Sequence, residues 1–255
     1  MELGLKGKVA LITGGSEGIG RATALCLARE GAIVSICARR AEPLAAVEKE
    51  LLATGATVFA FQGDATNAEQ MQQWVKQVHD TFGKIDILVN NAGGSGQLSF
   101  DDVDEARWQE DVSVKLFAPM RLIRLVLPYM KAQKSGSIIN IGSMSGRIVN
   151  WPFRHAAYNV SKAGVHMLTK CLATEWAEFN IRVNALAPGY IRTELTEEVL
   201  REHPDVVNNV WAKGAVQNRI GSVEELVGAT VYLASDAASF TTGEVITIDG
   251  GLTLR

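Results

Sequence analysis

Val9-Ala10-Leu11-Ile12-Thr13-Gly14-Gly15-Ser16-Glu17-Gly18-Ile19-Gly20 decides the fold: a short apolar run, a glycine-rich turn, and then a helical pattern from Ile19 to Arg29 closed by Gly31. The apolar run reads as a strand and the amphipathic stretch as a helix. Glycine tolerates positive φ and lets a ligand come close to the backbone, while free amides at a helix start attract phosphate. Gly14, Ser16, Glu17, Gly18, Ile19 and Gly20 are therefore read as an anion cradle suited to a dinucleotide pyrophosphate. The spacing is G-x-x-x-G-x-G, and the Lys-Ser/Thr ending of a nucleoside-triphosphate loop is missing.

The same alternation recurs along the chain. Ile33 to Cys37, Thr57 to Phe61, Ile85 to Val89, Ser137 to Ile141, Ile181 to Leu186 and Val245 to Ile248 read as further strands. Their near-continuous hydrophobicity suits a sheet covered on both faces. Between them lie helical patterns over Glu42 to Ala53, Ala68 to Phe82, Asp104 to Lys131, Ala156 to Glu178 and Val223 to Leu233. This order predicts an α/β doubly wound parallel sheet with right-handed crossovers, and places ligands outside the carboxyl ends of the strands. No repeat or linker divides the chain, so one domain over 1–255 is expected, with a helical, partly apolar lid at about 190–217.

The 255 residues, 47% of them hydrophobic and 21% charged, suffice for one sizeable core. A net charge of -3 and the lack of a basic run argue against a nucleic-acid partner. Val9 to Ile12 is too short for a signal-peptide core or a membrane span, so a cytoplasmic protein without a membrane partner is expected. Cys26, Cys37 and Cys171 are far apart and set among apolar neighbours, which predicts small buried hydrophobes and no metal site.

The turns after the strands hold the candidate ligand groups. Ala38-Arg39-Arg40 follows the second strand and offers no carboxylate to repel a 2'-phosphate, so NADP(H) is favoured and NAD(H) remains possible in principle. Arg39 is the expected partner of that phosphate, unless Glu17 engages it or both arginines are merely solvated. Asp64, with Ala65 beside it, fits either an acceptor for the adenine amino group or a turn aspartate. Asn90-Asn91-Ala92-Gly93-Gly94 either passes close to the ligand or orders its own turn.

Tyr158 and Lys162, four residues apart, share one face of a predicted helix. That helix follows the strand whose end carries Ser143, so all three reach the same sheet edge. A carbonyl under reduction needs a proton donor, and an alcohol under oxidation needs a base. A free phenol, with a pKa of about 10, is a poor base at neutral pH. An ammonium about 4 Å away is worth up to roughly 4 kcal/mol at an effective dielectric near 20, enough to lower the phenol by about three units. Tyr158 is thus the expected acid/base, with Lys162 tuning it and Ser143 holding the substrate oxygen.

These residues bear a resemblance over essentially the whole length: the chain resembles the short-chain dehydrogenases/reductases, in particular the 3-oxoacyl-carrier-protein reductase-like members. The carriers are Thr13 to Gly20, Asn90-Asn-Ala-Gly93, Ser143, Tyr158-x-x-x-Lys162, Asn184-x-x-x-Pro188-Gly189 with Thr193, and Thr242-Gly243 with Asp249-Gly250-Gly251. The resemblance implies a Rossmann fold of seven parallel strands, hydride transfer between nicotinamide and a small ketone, aldehyde or alcohol, and a homotetramer or homodimer. It further implies that Lys162 holds the nicotinamide ribose, that Pro188, Gly189, Ile191 and Thr193 embrace the carboxamide, and that Asn91 packs near the adenine ribose. Asn91, Ala92 and Gly93 join the cofactor set on the same ground.

Two departures stand out. Lys115 occupies the place where the family usually has a catalytic asparagine, and so enters as a doubtful catalytic member. The stretch from Ser143 to Tyr158 carries Trp151, Pro152, Phe153 and His155, candidates for a substrate wall. The lid segment, with Glu194, Leu195, Val199, Leu200 and Trp211, suggests a substrate with an apolar portion. A cofactor-sensing protein without turnover and an isomerase or dehydratase of related fold are the competing readings.

Overall fold

The computed structural model describes residues 2–94, 99–149 and 151–254. The first half runs β1 (Val9–Thr13), α1 (Gly18–Arg29), β2 (Ile33–Ala38), α2 (Ala41–Ala53), β3 (Val58–Gln62), α3 (Ala68–Phe82) and β4 (Ile87–Asn90). The middle holds α4 (Glu105–Val112), α5 (Ala118–Gln133), β5 (Gly136–Ile141), α6 (Ala156–Trp176) and β6 (Ile181–Pro188). The rest comprises β7 (Ile191–Arg192), α7 (Glu194–Glu202), the short α8 (Pro204–Val206), β8 (Gly221–Ser222), α9 (Glu224–Ala234) and β9 (Val245–Ile248).

Seven strands form one parallel sheet in the order β3-β2-β1-β4-β5-β6-β9. Side chains alternate across a strand, so β1 feeds both faces. Ala10 and Ile12 join a core with Leu27 of α1, Leu44 of α2 and Leu233 of α9. Val9 and Leu11 join the opposite core, with Trp74 of α3, Val126 of α5 and Trp176 of α6. Burying each such large apolar side chain contributes about 1.5–3 kcal/mol. The doubly wound sheet expected from the sequence is the one observed. Chain order reverses between β1 and β4, which opens a crevice at their carboxyl ends.

Three expectations are corrected. The helix expected from Asp104 to Lys131 is broken by a π-helical turn at Ser113–Phe117, between α4 and α5. Such a turn inserts one residue into the helical ladder and rotates the side chains around it, often at functional sites. The lid is not simply helical: Ile191 and Arg192 pair with Gly221 and Ser222 as β7 and β8, and a second π turn covers Val207–Ala212. Of the cysteines, Cys37 is buried, but Cys26 is only partly so and Cys171 is exposed, because its position on α6 faces away from the sheet.

Candidate active site

The turn after β1 is laced to the segment after β4. Thr13 Oγ1 accepts from the amides of Asn91 and Ala92, both at 3.0 Å. Asn91 Nδ2 donates to Thr13 O at 3.0 Å and Gly14 O at 3.1 Å. Asn91 therefore braces the glycine turn itself, a role the sequence did not single out. Close packing here demands glycine: a Cβ on Gly20 would sit 2.2 Å from Gly14 O. The residue before α1, Glu17, has extended backbone and its side chain makes no capping bond. The first-turn amides therefore keep their affinity for an anion. Gly18 N donates to Glu194 Oε2, from the start of α7, at 2.9 Å.

At the far end of the groove, Glu17 forms its ion pair with Arg40, not with Arg39. Arg39 makes no ion pair among the described residues, and both arginines line the groove. Asp64 takes the turn role: its Oδ1 accepts from Thr66 N at 2.8 Å and Thr66 Oγ1 at 2.7 Å, while Asp64 and Ala65 still border the groove. Burial pushes the Cys37 thiol up to about 12, so no thiolate stands there at neutral pH. No cluster of three or more metal-ligating side chains exists among the described residues.

Tyr158 and Lys162 lie one turn apart on α6, and Ser143 stands just beyond β5. Tyr158 and Ser143 share a side-chain hydrogen bond. Ser143 Oγ also accepts from Ser145 N at 3.1 Å, which fixes the hydroxyl at the head of a short turn. Lys162 Nζ donates to Ile141 O, the last residue of β5, at 2.7 Å. Strand, serine and helix thus converge on one point of the sheet edge.

The electrostatics depart from the expectation. Burial raises the Tyr158 phenol, and the bond to Ser143 works against it; a net lowering by Lys162 is not what this arrangement gives. Lys162 is itself lowered to about 8, first by burial and then by the ammonium of Lys115. Lys115 is only 4% exposed and lies on the π turn. Its Nζ is 5.8 Å from the centre of the Tyr158 ring, against 5.7 Å for Lys162 Nζ. The asparagine-like position thus does reach the site, carrying a charge that Asp111 compensates at 2.9 Å.

Two contributors escaped the sequence reading. Asp111 looked like any acid on a solvated helix face, although its i,i+4 spacing from Lys115 was a signal that the two could pair. His166, 6% exposed, supports the Ser143 loop from behind: a Cβ on Gly142 would lie 2.4 Å from its Nε2 and one on Gly146 2.6 Å from its Cε1. Its placement four residues after Lys162, opposite two glycines flanking Ser143, was the available signal.

A continuous cavity of about 740 Å³ joins the glycine turn, the Ser143-Tyr158-Lys162 group and the lid. Pro188, Gly189, Ile191 and Thr193 border it, as do Gly14, Ser16, Gly18, Ile19, Asn91, Ala92 and Gly93. Gly20 does not border it and serves packing instead. Beyond Tyr158 the wall turns aromatic: Tyr190 and Trp211 stack at 4.7 Å, and Phe153 lies 6.3 Å from Trp211. Phe153 and His155 thus line the chamber, whereas Trp151 is exposed and Pro152 lies off the wall.

A parallel sheet with a crevice at its reversal point, a glycine turn, and a serine-tyrosine-lysine group beyond them define a dehydrogenase/reductase acting on alcohol and carbonyl groups. The comparisons agree. The family model described as enoyl-(acyl carrier protein) reductase matches residues 14–253. The chain is 39% identical over 250 residues to a 3-oxoacyl-[acyl-carrier-protein] reductase of Thermotoga maritima, covering 98% of this chain and 99% of the relative. It is 38% identical over 251 residues to a galactitol 2-dehydrogenase (L-tagatose-forming) of Cereibacter sphaeroides, covering 98% and 96%. The structure of an NADPH-dependent 3-quinuclidinone reductase from Rhodotorula rubra superposes with a TM-score of 0.92 at 37% identity, covering 99% of this chain and 93% of that one. The chain belongs to the short-chain dehydrogenase/reductase family, whose members bind nicotinamide cofactors.

Proposed function

We propose that this chain reduces a ketone or aldehyde, and in reverse oxidises the alcohol, with NADP(H) lying along the glycine turn. The observation that carries the reading is the convergence of Ser143, Tyr158 and the buried Lys162 on one side of the cavity that begins at the glycine turn. The glycine turn fits a dinucleotide, since its amides are uncapped by Glu17 and it is packed too closely for a Cβ: one on Gly14 would press on Asn91 and Ala92, and one on Gly20 on Gly14 O. When bound, the nicotinamide supplies or accepts the hydride.

Ser143 holds the substrate oxygen, and Tyr158 gives its phenolic proton to that oxygen in reduction or takes it back in oxidation. Lys162, anchored on Ile141 O, presents an ammonium beside the phenol and favours the tyrosinate once it forms. Arg39 pairs with the 2'-phosphate of the cofactor. Three features support that choice: its lack of an ion pair, the absence of a carboxylate after β2, and the neutralisation of Glu17 by Arg40. The family neighbour named for NADPH points the same way.

The aromatic wall of Phe153, Tyr190 and Trp211 receives the apolar part of the substrate. The exposed apolar side chains Phe117, Val160 and Met167 support assembly into a homodimer or homotetramer. Among the described residues no helix is long and apolar enough to cross a membrane. NADPH oxidation against a panel of ketones and aldehydes tests the reaction. It is expected to fall by about 10²- to 10⁴-fold in Tyr158→Phe while the cofactor still binds, and turnover near the unaltered rate refutes the proposed acid/base.

A further inference from the structure

The lid reaches the cofactor groove through one charged group. Thr193 caps α7 in a reciprocal arrangement with Thr196, which fixes the direction of the helix's first residue, Glu194. Its carboxylate Oε2 accepts from Gly18 N at 2.9 Å, across 176 positions of sequence. Contact is close: a Cβ on Gly18 would meet Thr193 Cγ2 at 3.4 Å and Glu194 Oε2 at 3.6 Å. Gly18 opens α1, so the anion-seeking end of that helix holds the protein's own carboxylate.

Resting on the cofactor reading above, we propose that Glu194 is a latch: its carboxylate occupies the anion position of the glycine turn and holds the lid there until a dinucleotide phosphate displaces it. Two anions cannot share one turn of amides without repulsion, because both draw on the same few donors and lie within a few ångströms of one another. Among the described residues no ion pair neutralises Glu194: Arg40 is engaged by Glu17, and Arg192 lies against Glu197. Binding of the cofactor therefore carries the cost of releasing the latch, and its departure is helped by the latch returning. Glu194 sits next to Thr193 and on the helix that leads to the aromatic wall, so the exchange at Gly18 also moves the substrate chamber's lid.

The test compares the full chain with Glu194→Gln, Glu194→Asp and, as a control, Glu198→Gln, an exposed acid on the same helix. NADPH affinity is read by equilibrium fluorescence, and the melting temperature is read without cofactor. The latch predicts NADPH binding tighter by about two- to fivefold in Glu194→Gln, the scale of one charge at a helix terminus. It also predicts a lower cofactor-free melting temperature in that variant and little change in Glu198→Gln. Glu194→Asp, one methylene short of Gly18, falls on the same side as Glu194→Gln but by less. Unchanged or weaker NADPH binding in Glu194→Gln overturns the latch; weaker binding would make Glu194 a clamp over the bound cofactor. Absence of any nicotinamide-dinucleotide binding by the unaltered chain sinks the cofactor reading and the latch with it, whereas normal binding without a gain in the variants sinks the latch alone.

Discussion

Lys115 is tied to Asp111 by a 2.9 Å ion pair within one turn of helix, at the point where α4 gives way to the π turn. Burial lowers Lys162 to about 8, and the second ammonium that the pair delivers to the catalytic group acts in the same direction. Replacing Lys115 with methionine removes that like charge and lets Lys162 rise toward its ordinary value of 10.5. The unfolded chain binds more protons than the folded one between pH 8 and 10.5, so stability climbs with pH across that window. In Lys115→Met the climb should be shallower, as urea titrations at pH 8 and pH 10 will show. Asp111→Asn acts differently, for it strands a buried ammonium and should cost about 3 kcal/mol.

Tyr158 leads to a second expectation. Burial raises its phenol, so in the direction of alcohol oxidation the active tyrosinate is scarce at neutral pH. Oxidation should therefore accelerate as pH rises above 7, while carbonyl reduction, which needs the phenol, should fade only on the alkaline side. Tyr158→Phe should lower kcat by about 10²- to 10⁴-fold in both directions. Parallel kcat profiles from pH 6 to pH 10 would expose an error in this assignment by showing the same pH dependence for both reactions.

How much of this was legible beforehand depends on the range of the interactions involved. Strands such as Val9 to Ile12 carry their own periodicity, and the parallel order followed from their alternation with helices. Ser143 was readable because it follows a strand end, and Tyr158 and Lys162 because their four-residue spacing sets them on one face of the next helix. The π turn at Ser113–Phe117 was hidden, since one inserted residue leaves the apolar pattern of a helix nearly intact. The Glu17-Arg40 pair and the Gly18-Glu194 bond were hidden for another reason: both join neighbours in space that differ by a choice of rotamer or by 176 positions in sequence.

His166 supplies an expectation about acid stability. Burial lowers its pKa from 6.5 to about 4, with the Arg147 guanidinium acting in the same direction. Below pH 6.5 the unfolded imidazole takes up a proton that the folded one refuses, so stability is present near neutrality and drains as pH falls toward 4. The folded ring sits against Gly142 and Gly146, leaving no room for a hydration shell about an imidazolium. His166→Gln should flatten the decline between pH 7 and pH 5, measured by thermal melting, even though it lowers the neutral-pH melting temperature.

Arg39 and Arg40 are adjacent in sequence yet should behave differently. Arg40 is spent on Glu17, and Arg39 has no ion-pair partner among the described residues. A phosphate-guanidinium contact is charge-assisted, so Arg39→Asp, which also introduces repulsion, should raise the KM for NADPH on the order of a hundredfold while changing that for NADH little. Arg40→Ala should act indirectly: it releases the Glu17 carboxylate beside the groove, so both cofactors should weaken, each by a few fold. The double change Arg40→Ala with Glu17→Gln removes that released charge and should recover most of the loss. Steady-state kinetics with both cofactors on the three variants separate these effects. If Arg39→Asp raised both Michaelis constants equally, the groove would be reading the shared part of the dinucleotide, and the preference for the 2'-phosphate would have to be withdrawn.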